Sequence, residues 1–485
     1  MAYLIAVETP AALPRDIWER TPPEAQAYIG ALEARVAALV AMVQAFQEQL
    51  DQTSRNSSRP PSSDPPLPQR PHRPRGQRRR GGQPGHPGHT RSLVPVEEVD
   101  EVVVLKPDQC RGCHAPLSGD DATPFRHQVI EIPPIKPVIT EYRWHQLVCP
   151  ECGETTRAPW PDGVPNGTYG PRVHATVALC TGSYRLSKRT TGQVMDDVFG
   201  VPMRVGTLSQ SEQATTEVVA EPVEEARAYV QEQSVAHLDE TSWRQGDKRA
   251  WLWVAVTSVV TVFLVRMSRG GQGARELLGE KFSGILVTDR YSAYNWYPVR
   301  WRQVCWAHLL RDFEAIRGRG GVSEEIGDAL LAQAHQMFTW WHRVCEGTLT
   351  RSTFRSYMSP LRQEVERLLE AGSQCSVPKT EGTCREILKR HEALWTFVQV
   401  EGVEPTNNTA ERSIRPGVQW RQGSFGTQSA EGSRFVESMM TVVATLKQQK
   451  RNVLAYLTAA HEAALRGAAA PSLLPAHKME SQAAA

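Results

Sequence analysis

The chain has 485 residues, enough for about three domains at roughly 150 residues each, which excludes a peptide, a lone binding module and a disulfide miniprotein. With 55 Lys and Arg against 53 Asp and Glu the net charge is only +2, and 22% charged with 40% hydrophobic residues is an ordinary globular composition. That average hides a contrast: between Thr53 and Val96 nine arginines (Arg55, Arg59, Arg70, Arg73, Arg75, Arg78, Arg79, Arg80 and Arg91) face the single acid Asp64, so this window carries +8 and the remainder −6.

The opening MAYLIAVETPAALPRD has no basic n-region and no apolar core of signal-peptide length, and does not read as a secretory signal. Ile29, Leu32, Val36, Leu39, Val43, Phe46 and Leu50 follow at alternating steps of three and four, the a/d spacing of a coiled coil. Such a stripe either pairs with a second chain or packs on its own protein. The Pro-, Gly- and Arg-rich stretch after it cannot bury enough apolar area to offset chain entropy and is expected to be an extended arm. From Glu97 to Trp160 short strands are expected, EVVVL, HQVIEI and VITEYRW, enclosed between CRGC and CPEC. Helices then follow from about Arg172 and from Ser187 to Phe199. After a Gly200 turn a third is entered at Thr207, whose spacing to Gln210 is that of a capping box. This pair resembles a helix-turn-helix, although such pairs are commonly mere packing units.

Beyond Ser234 the texture becomes α/β. VAHLDETSW, AWLWVAVTS and VTVFLVRM read as three strands, Ala274 to Lys281 as a helix, GILVTD as a fourth strand and RQVCW as a fifth. The apolar run Trp251 to Val265 is too short and too interrupted to span a bilayer. Gly320 to about Leu394 is helical, with Met337, Phe338, Trp340 and Trp341 expected in a core. A last helix is expected from Val436 to Ala464, and a frayed tail after Gly467.

Cys110, Cys113, Cys149 and Cys152 form two C-x-x-C pairs, each able to grip one side of a tetrahedral ion from a tight turn. One structural zinc is expected; free thiols or a redox pair are the alternatives, and His114 or His145 could replace a thiolate. The other five cysteines are scattered, which suits a reducing cytoplasm better than a disulfide framework. Asp239 sits inside the first apolar strand, where an unpaired carboxylate is costly and calls for a cation or donors. Asp289 ends the fourth strand, which lies beside the first in a ribonuclease-H-like sheet, so the two carboxylates would meet. Hard divalent cations take such oxygens, and two of them about 4 Å apart serve phosphoryl transfer. A third acid is expected on a later helix. Glu411 fits, with Asn407 or Asn408 as cap and Pro416-Gly417 as the stop, though composition alone ranks Glu401, Glu404, Glu431 and Glu437 close behind.

These strings together carry a resemblance. NSSRPPSSD (Asn56 to Asp64), GGQPGHPGH (Gly81 to His89), the two knuckles, HLDET (His237 to Thr241), TDRYSAYN (Thr288 to Asn295), CWAHLLRDF (Cys305 to Phe313) and NNTAERSIRP (Asn407 to Pro416) resemble, in this order, the insertion sequence 66 family of D-D-E transposases. The resemblance implies a multidomain α/β protein with a ribonuclease-H-like core. Its layout would be a zipper-like coiled coil over 1–54, a basic arm over 55–96, a zinc-binding domain over 97–165 and a helix-turn-helix-like region over 166–232. The catalytic domain would occupy 233–319 and 395–465 around a helical insertion at 320–394; the tail over 466–485 matches nothing in the family and is expected to be disordered from its Ala-rich composition.

The resemblance also implies a metal triad of Asp239, Asp289 and Glu411, holding two Mg²⁺ or Mn²⁺ ions per site, with His308 and Arg311 on the scissile phosphate. The family commonly has two adjacent basic residues after this His; here Leu310 and Arg311 stand there, and Asp312 occupies the place of a usual Lys. Arg70, Arg73, Arg75, Arg78, Arg79 and Arg80 would grip DNA, at the element's inverted repeats and at the target, with steep salt dependence. A homo-oligomer through the coiled coil, small accessory proteins of the same element, no membrane, and a bacterial, nucleoid-associated cytoplasmic location complete the expectation. The competing readings are a non-catalytic zinc-containing DNA-binding protein or decayed transposase, and a nuclease that cuts without joining.

Overall fold

A computed structural model describes residues 15–51 and 92–475, so the basic arm with Arg70, Arg73, Arg75, Arg78, Arg79 and Arg80 lies outside the described residues. The described chain divides into two compact units. One comprises residues 15–51, His145–Gly192 and 204–475, the other residues 92–144 with Gln193–Met203. The described residues contain no helix long and apolar enough to cross a membrane.

The second unit corrects an expectation. EVVVL, HQVIEI and VITEYRW form no strands; the only pairing there among the described residues is an isolated bridge between Gln109 and Pro116. β-Branched residues favour strands only when a neighbouring strand accepts their backbone groups. Here Val94 bonds instead to a side chain, its N–H to Gln128 Oε1 at 2.8 Å and its carbonyl to Gln128 Nε2 at 2.8 Å. Val102 to Leu105, Val129, Ile130, Val138 and Ile139 are all exposed.

The first unit begins with helices α1 (Arg15–Arg20) and α2 (Pro23–Asp51). Leu32, Val36, Leu39 and Val43 on α2 are exposed, Leu39 by 54%, so among the described residues nothing covers this part of the apolar stripe. The hairpin β1 (Gln146–Val148) and β2 (Thr155–Arg157) carries the second cysteine pair in its turn. Helix α3 (Pro171–Ala178) widens into a π-turn at Leu179–Ser183, and α4 (Lys188–Phe199) ends at Gly200, which has φ +64°. Helix α5 (Val205–Val218) starts at Val205 with no side-chain cap, so Thr207 lies within the helix and does not open a capping box. Helix α6 (Ala220–Gln231) leads into the sheet.

Strands β3 (Val235–Gln245), β4 (Lys248–Val256) and β5 (Thr261–Arg266) form an antiparallel meander. Helix α7 (Gln272–Leu278) then crosses to β6 (Ile285–Thr288), and β7 (Arg302–Val304) follows. The sheet order is β5-β4-β3-β6-β7, with β6 parallel to both β3 and β7. Side chains alternate between the faces, as the period of two requires. Ala236, Leu238, Trp253, Ala255, Leu264 and Leu286 belong to one core with α6 and α7. On the opposite face Leu252, Val254 and Phe263 meet Ala410 and Ile414, whereas Ile285 and Val287 meet α8 (Trp306–Arg317).

The helical segment α9 (Val322–Cys345), α10 (Arg351–Ser373) and α11 (Pro378–Leu388) shares that α8 core, with Met337 buried and Phe338, Trp340 and Trp341 packed against it. After the short α12 (Thr396–Gln399) comes α13 (Asn408–Ser424). Pro416-Gly417 does not stop it: α13 runs seven residues past Gly417 to Ser424. A proline inside a helix costs about 3 kcal/mol, and here the helix is held by packing, because a Cβ on Gly417 would come within 2.3 Å of Leu252 Cδ2. The expected last helix is two, α14 (Ala430–Gln448) and α15 (Val453–Leu465). Nor is the start of the tail frayed. Leu473 is fully buried and Tyr456 donates to the Pro471 carbonyl at 2.7 Å, while residues 476–485 lie outside the described residues.

Candidate active site

Two strands set the first pair of acids. In the parallel pairing of β3 with β6, Val235 lies opposite Ile285 and His237 opposite Val287. The same offset of 50 residues, carried past the last pair, sets Asp239 level with Asp289. Alternation puts both on the face away from Leu238 and Leu286, toward α8 and α13. Each carboxylate is oriented by backbone. Asp239 Oδ1 accepts from Glu240 N at 2.9 Å, and Asp289 Oδ1 accepts from Tyr291 N at 2.9 Å. Buried Arg302 on β7 fixes the end of β6, donating to Thr288 Oγ1 at 3.0 Å and to the Asp289 carbonyl at 3.2 Å.

Glu411 arrives on the first turn of α13, and what holds that turn is Asn407. Its side chain does not cap the helix, as the sequence had suggested. It reaches across to β3, where Nδ2 donates to the Leu238 carbonyl at 2.6 Å and Oδ1 lies 3.2 Å from His237 Nδ1. Its backbone N–H donates to Cys305 Sγ at 3.2 Å, tying α13 to the start of α8 as well. Cys305 is the N-cap position of α8 and His308 sits one turn on. His308 Nδ1 lies 3.5 Å from Glu411 Oε1, and Arg311 Nη2 lies 4.0 Å from Glu411 Oε2. Cys305, His308 and Glu411 offer ligating atoms all within 4.8 Å of one another. Asp312, the departure from the basic pattern, pairs with Arg290 at 2.5 Å and 3.1 Å.

The electrostatics record crowding of like charge. Burial, with the carboxylates of Glu240, Asp289 and Glu411 adding to it, pushes Asp239 well above the usual carboxylate range. Such like-charge crowding is what a bound divalent cation would relieve, although among the described residues the donor atoms within 4.8 Å of one another group Glu411 with Cys305 and His308 and not with Asp239 and Asp289. Behind Asp239, on the other face of the sheet, Glu240 is pushed up to about 7 by burial and by Asp289, although Tyr294 and Arg269 hydrogen-bond it. The Arg269 guanidinium is 2.9 Å from Glu240 and lies over the Tyr291 ring at 3.8 Å. A cavity of about 850 Å³ bordered by Arg185, Lys188, Glu212, Gln419 and Arg434 includes none of the five expected catalytic residues.

The cysteine knuckles fall one in each unit. In the first, the N–H groups of Cys113 and Gly112 point at the Cys110 sulfur and hold its thiol below the ordinary range; in the second, those of Cys152 and Glu151 do the same for Cys149. Both turns close on a left-handed residue directly after the second cysteine, His114 at φ +57° and Gly153 at φ +74°. The sequence reading did not single out Glu240, Arg269, Tyr294, Cys305 and Arg302, nor the reach of Asn407 to β3. The Cys305-x-x-His308 spacing at a helix start was a signal for one of them; nothing local marks Arg269.

Residues 166–435, more than half of the chain, match the Transposase IS66 family, and the chain belongs to that family. Residues 12–92 match a family of unknown function, DUF6444. Uncharacterized protein y4qI of Sinorhizobium fredii (strain NBRC 101917 / NGR234) is 29% identical over 240 residues, 43% of this chain and 43% of that protein. The chain thus spans less than half the length of this curated relative.

Proposed function

We propose that this protein is the transposase of an insertion sequence, which binds the element's terminal inverted repeats and carries out metal-dependent DNA cleavage and strand transfer. The observation that carries the reading is the parallel β3–β6 pairing, which brings Asp239 level with Asp289 on the face where α13 presents Glu411. The five-stranded order, antiparallel meander first and two parallel strands after, supports the reading of a ribonuclease-H-like core.

Asp239, Asp289 and Glu411 would hold two Mg²⁺ or Mn²⁺ ions. Such ions, when bound, activate an attacking oxygen and stabilise the leaving one in an in-line displacement. The chain's own part is to orient oxygens and phosphate. Asp239 and Asp289 are fixed by backbone N–H groups, and Arg311 stands beside Glu411 as a cation for the scissile phosphate, with His308 Nε2 3.4 Å from it. No side chain acts as nucleophile, so cleavage and joining use water and a DNA 3′-hydroxyl in turn.

Each cysteine pair, its N–H groups favouring the thiolate, supports zinc as the ion these residues would take. The exposed stripe on α2 is suited to pair with a second copy. Arg70, Arg73, Arg75, Arg78, Arg79 and Arg80 would bind phosphate backbones. Strand-transfer assays on Asp239→Asn, Asp289→Asn and Glu411→Gln proteins that still bind the element's ends test the chemistry. Each is expected to lose strand transfer by several orders of magnitude, and retained activity removes that residue from the triad. A wild-type protein that binds ends but never nicks them in Mg²⁺ would favour a non-catalytic DNA-binding protein.

A further inference from the structure

We propose that Cys305, His308 and Glu411 form a second, thiophilic metal site, selective for zinc over magnesium, and that filling it withdraws Glu411 from the acid triad. The competition rests on the triad reading above; the binding site does not.

The geometry is specific. His308 Nδ1 and Glu411 Oε1 are both shut off from solvent, and neither has a hydrogen-bond partner, although they stand 3.5 Å apart. Two buried polar atoms at that separation, neither hydrogen-bonded to the protein, can both ligate one ion. Bonds of about 2.0–2.2 Å at tetrahedral angles place nitrogen and oxygen donors roughly 3.3–3.6 Å apart. Octahedral magnesium at about 2.0–2.1 Å would bring neighbouring donors to roughly 2.9 Å. The nitrogen–oxygen spacing matches the tetrahedral case, and the Cys305 sulfur lies within 4.8 Å of both donors. The third donor decides the metal, because a thiolate selects zinc and similar ions, whereas magnesium takes oxygen.

All three donors are held at rigid points. Cys305 stands at the N-cap position of α8 and its sulfur accepts from the Asn407 N–H, His308 lies in the first turn of α8, and Glu411 lies in the first turn of α13. Three protein ligands leave the fourth tetrahedral position for water or a phosphate oxygen, unlike a closed structural site. On binding, the Cys305 S–H bond breaks, a sulfur–zinc bond forms and the proton leaves to solvent, with no change of oxidation state. Glu411 serves either ion set, so zinc at Cys305 and His308 is an antagonist of the magnesium-loaded centre. By linkage, magnesium must weaken zinc by the same factor.

The test counts zinc on the full-length protein dialysed against buffered zinc. Wild type and Asp239→Asn are expected to hold one ion more per chain than Cys305→Ser and His308→Gln, since the cysteine knuckles are common to all four. Equal content in all four proteins overturns the site. His308→Gln leaves the buried cysteine in place and serves if Cys305→Ser fails to fold. In magnesium cleavage assays, zinc should suppress wild type about tenfold or more, and Cys305→Ser far less, each relative to its own zinc-free rate. Equal suppression overturns the competition. If wild type never cleaves in magnesium, the triad reading fails, while the zinc count still decides this site.

Discussion

Replacing Asn407 by alanine tests whether one buried amide assembles the site. Asn407 is 1% exposed, and its side chain is the link from the start of α13 to β3. Truncation strands two partners, the Leu238 carbonyl, which it now meets at 2.6 Å, and His237 Nδ1 at 3.2 Å. Leaving a buried polar group unsatisfied costs about 1–3 kcal/mol, so the pair predicts a loss of about 2–6 kcal/mol. Neighbouring Asn408, half-buried, is the control, and its alanine variant should stay within about 0.5 kcal/mol of wild type. Urea unfolding measures the stability change, and calorimetric titration with Mn²⁺ measures the site. Glu411 stands four residues beyond the broken link, so Mn²⁺ affinity should fall together with stability. An Asn407→Ala protein within about 0.5 kcal/mol of wild type and with unchanged Mn²⁺ affinity would refute the assignment of Asn407 as the clamp.

Gly417→Ala should cost about 1–3 kcal/mol by overpacking, since the added Cβ meets Leu252 Cδ2 at 2.3 Å; thermal unfolding checks it. His461, stacked on His174 with ring centroids 5.3 Å apart and 2.9 Å from Thr215 Oγ1, is pushed down to about 4 by burial and by His174. Between pH 4 and 6.5 the unfolded chain therefore binds more protons at this residue than the folded one, and its contribution to stability, complete above pH 6.5, is lost as pH falls toward 4. The loss should reach up to about 3 kcal/mol, and His461→Gln should flatten that part of the stability profile measured by urea unfolding. Leu39→Lys places a charge on the exposed stripe of α2 and should shift the protein toward monomer in sedimentation velocity; an unchanged mass would exclude this stripe as the self-association surface.

The sheet was legible because β3, β4 and β5 are runs of β-branched and aromatic residues whose burial on both faces follows from composition. Asp239 was conspicuous for the same reason, as a carboxylate inside an apolar run. Features that depend on distant partners were not legible. EVVVL has strand propensity but no strand to pair with, and Pro416-Gly417 has the look of a stop but lies where the helix needs to approach Leu252. Asn407 reads locally as a cap, and only the fold shows it spending its amide on β3. Arg269 and Glu240 meet across 29 residues with nothing in either neighbourhood to announce it. Leu473 follows an Ala-rich stretch that reads as frayed, yet its buried side chain, with the Tyr456 hydroxyl on the Pro471 carbonyl and Arg451 on the Ser472 carbonyl, docks it.

The candidate site is closed by the late part of the chain, and this orders events during synthesis. Asn407 and Leu238 are 169 residues apart, Thr445 bonds the β5 backbone across 184 residues, and His461 reaches Thr215 across 246. At translation speeds of about 5–20 residues per second, β3 waits roughly 10–30 s on the ribosome before the residue that clamps it emerges. A fragment ending between Asp289 and Asn407 carries both strand acids and a sheet face not yet covered by α13, without Glu411. On the proposed transposase reading, such prematurely terminated chains would lack the third acid and be prone to removal by proteolysis, so that cleavage would wait for the late part of the chain.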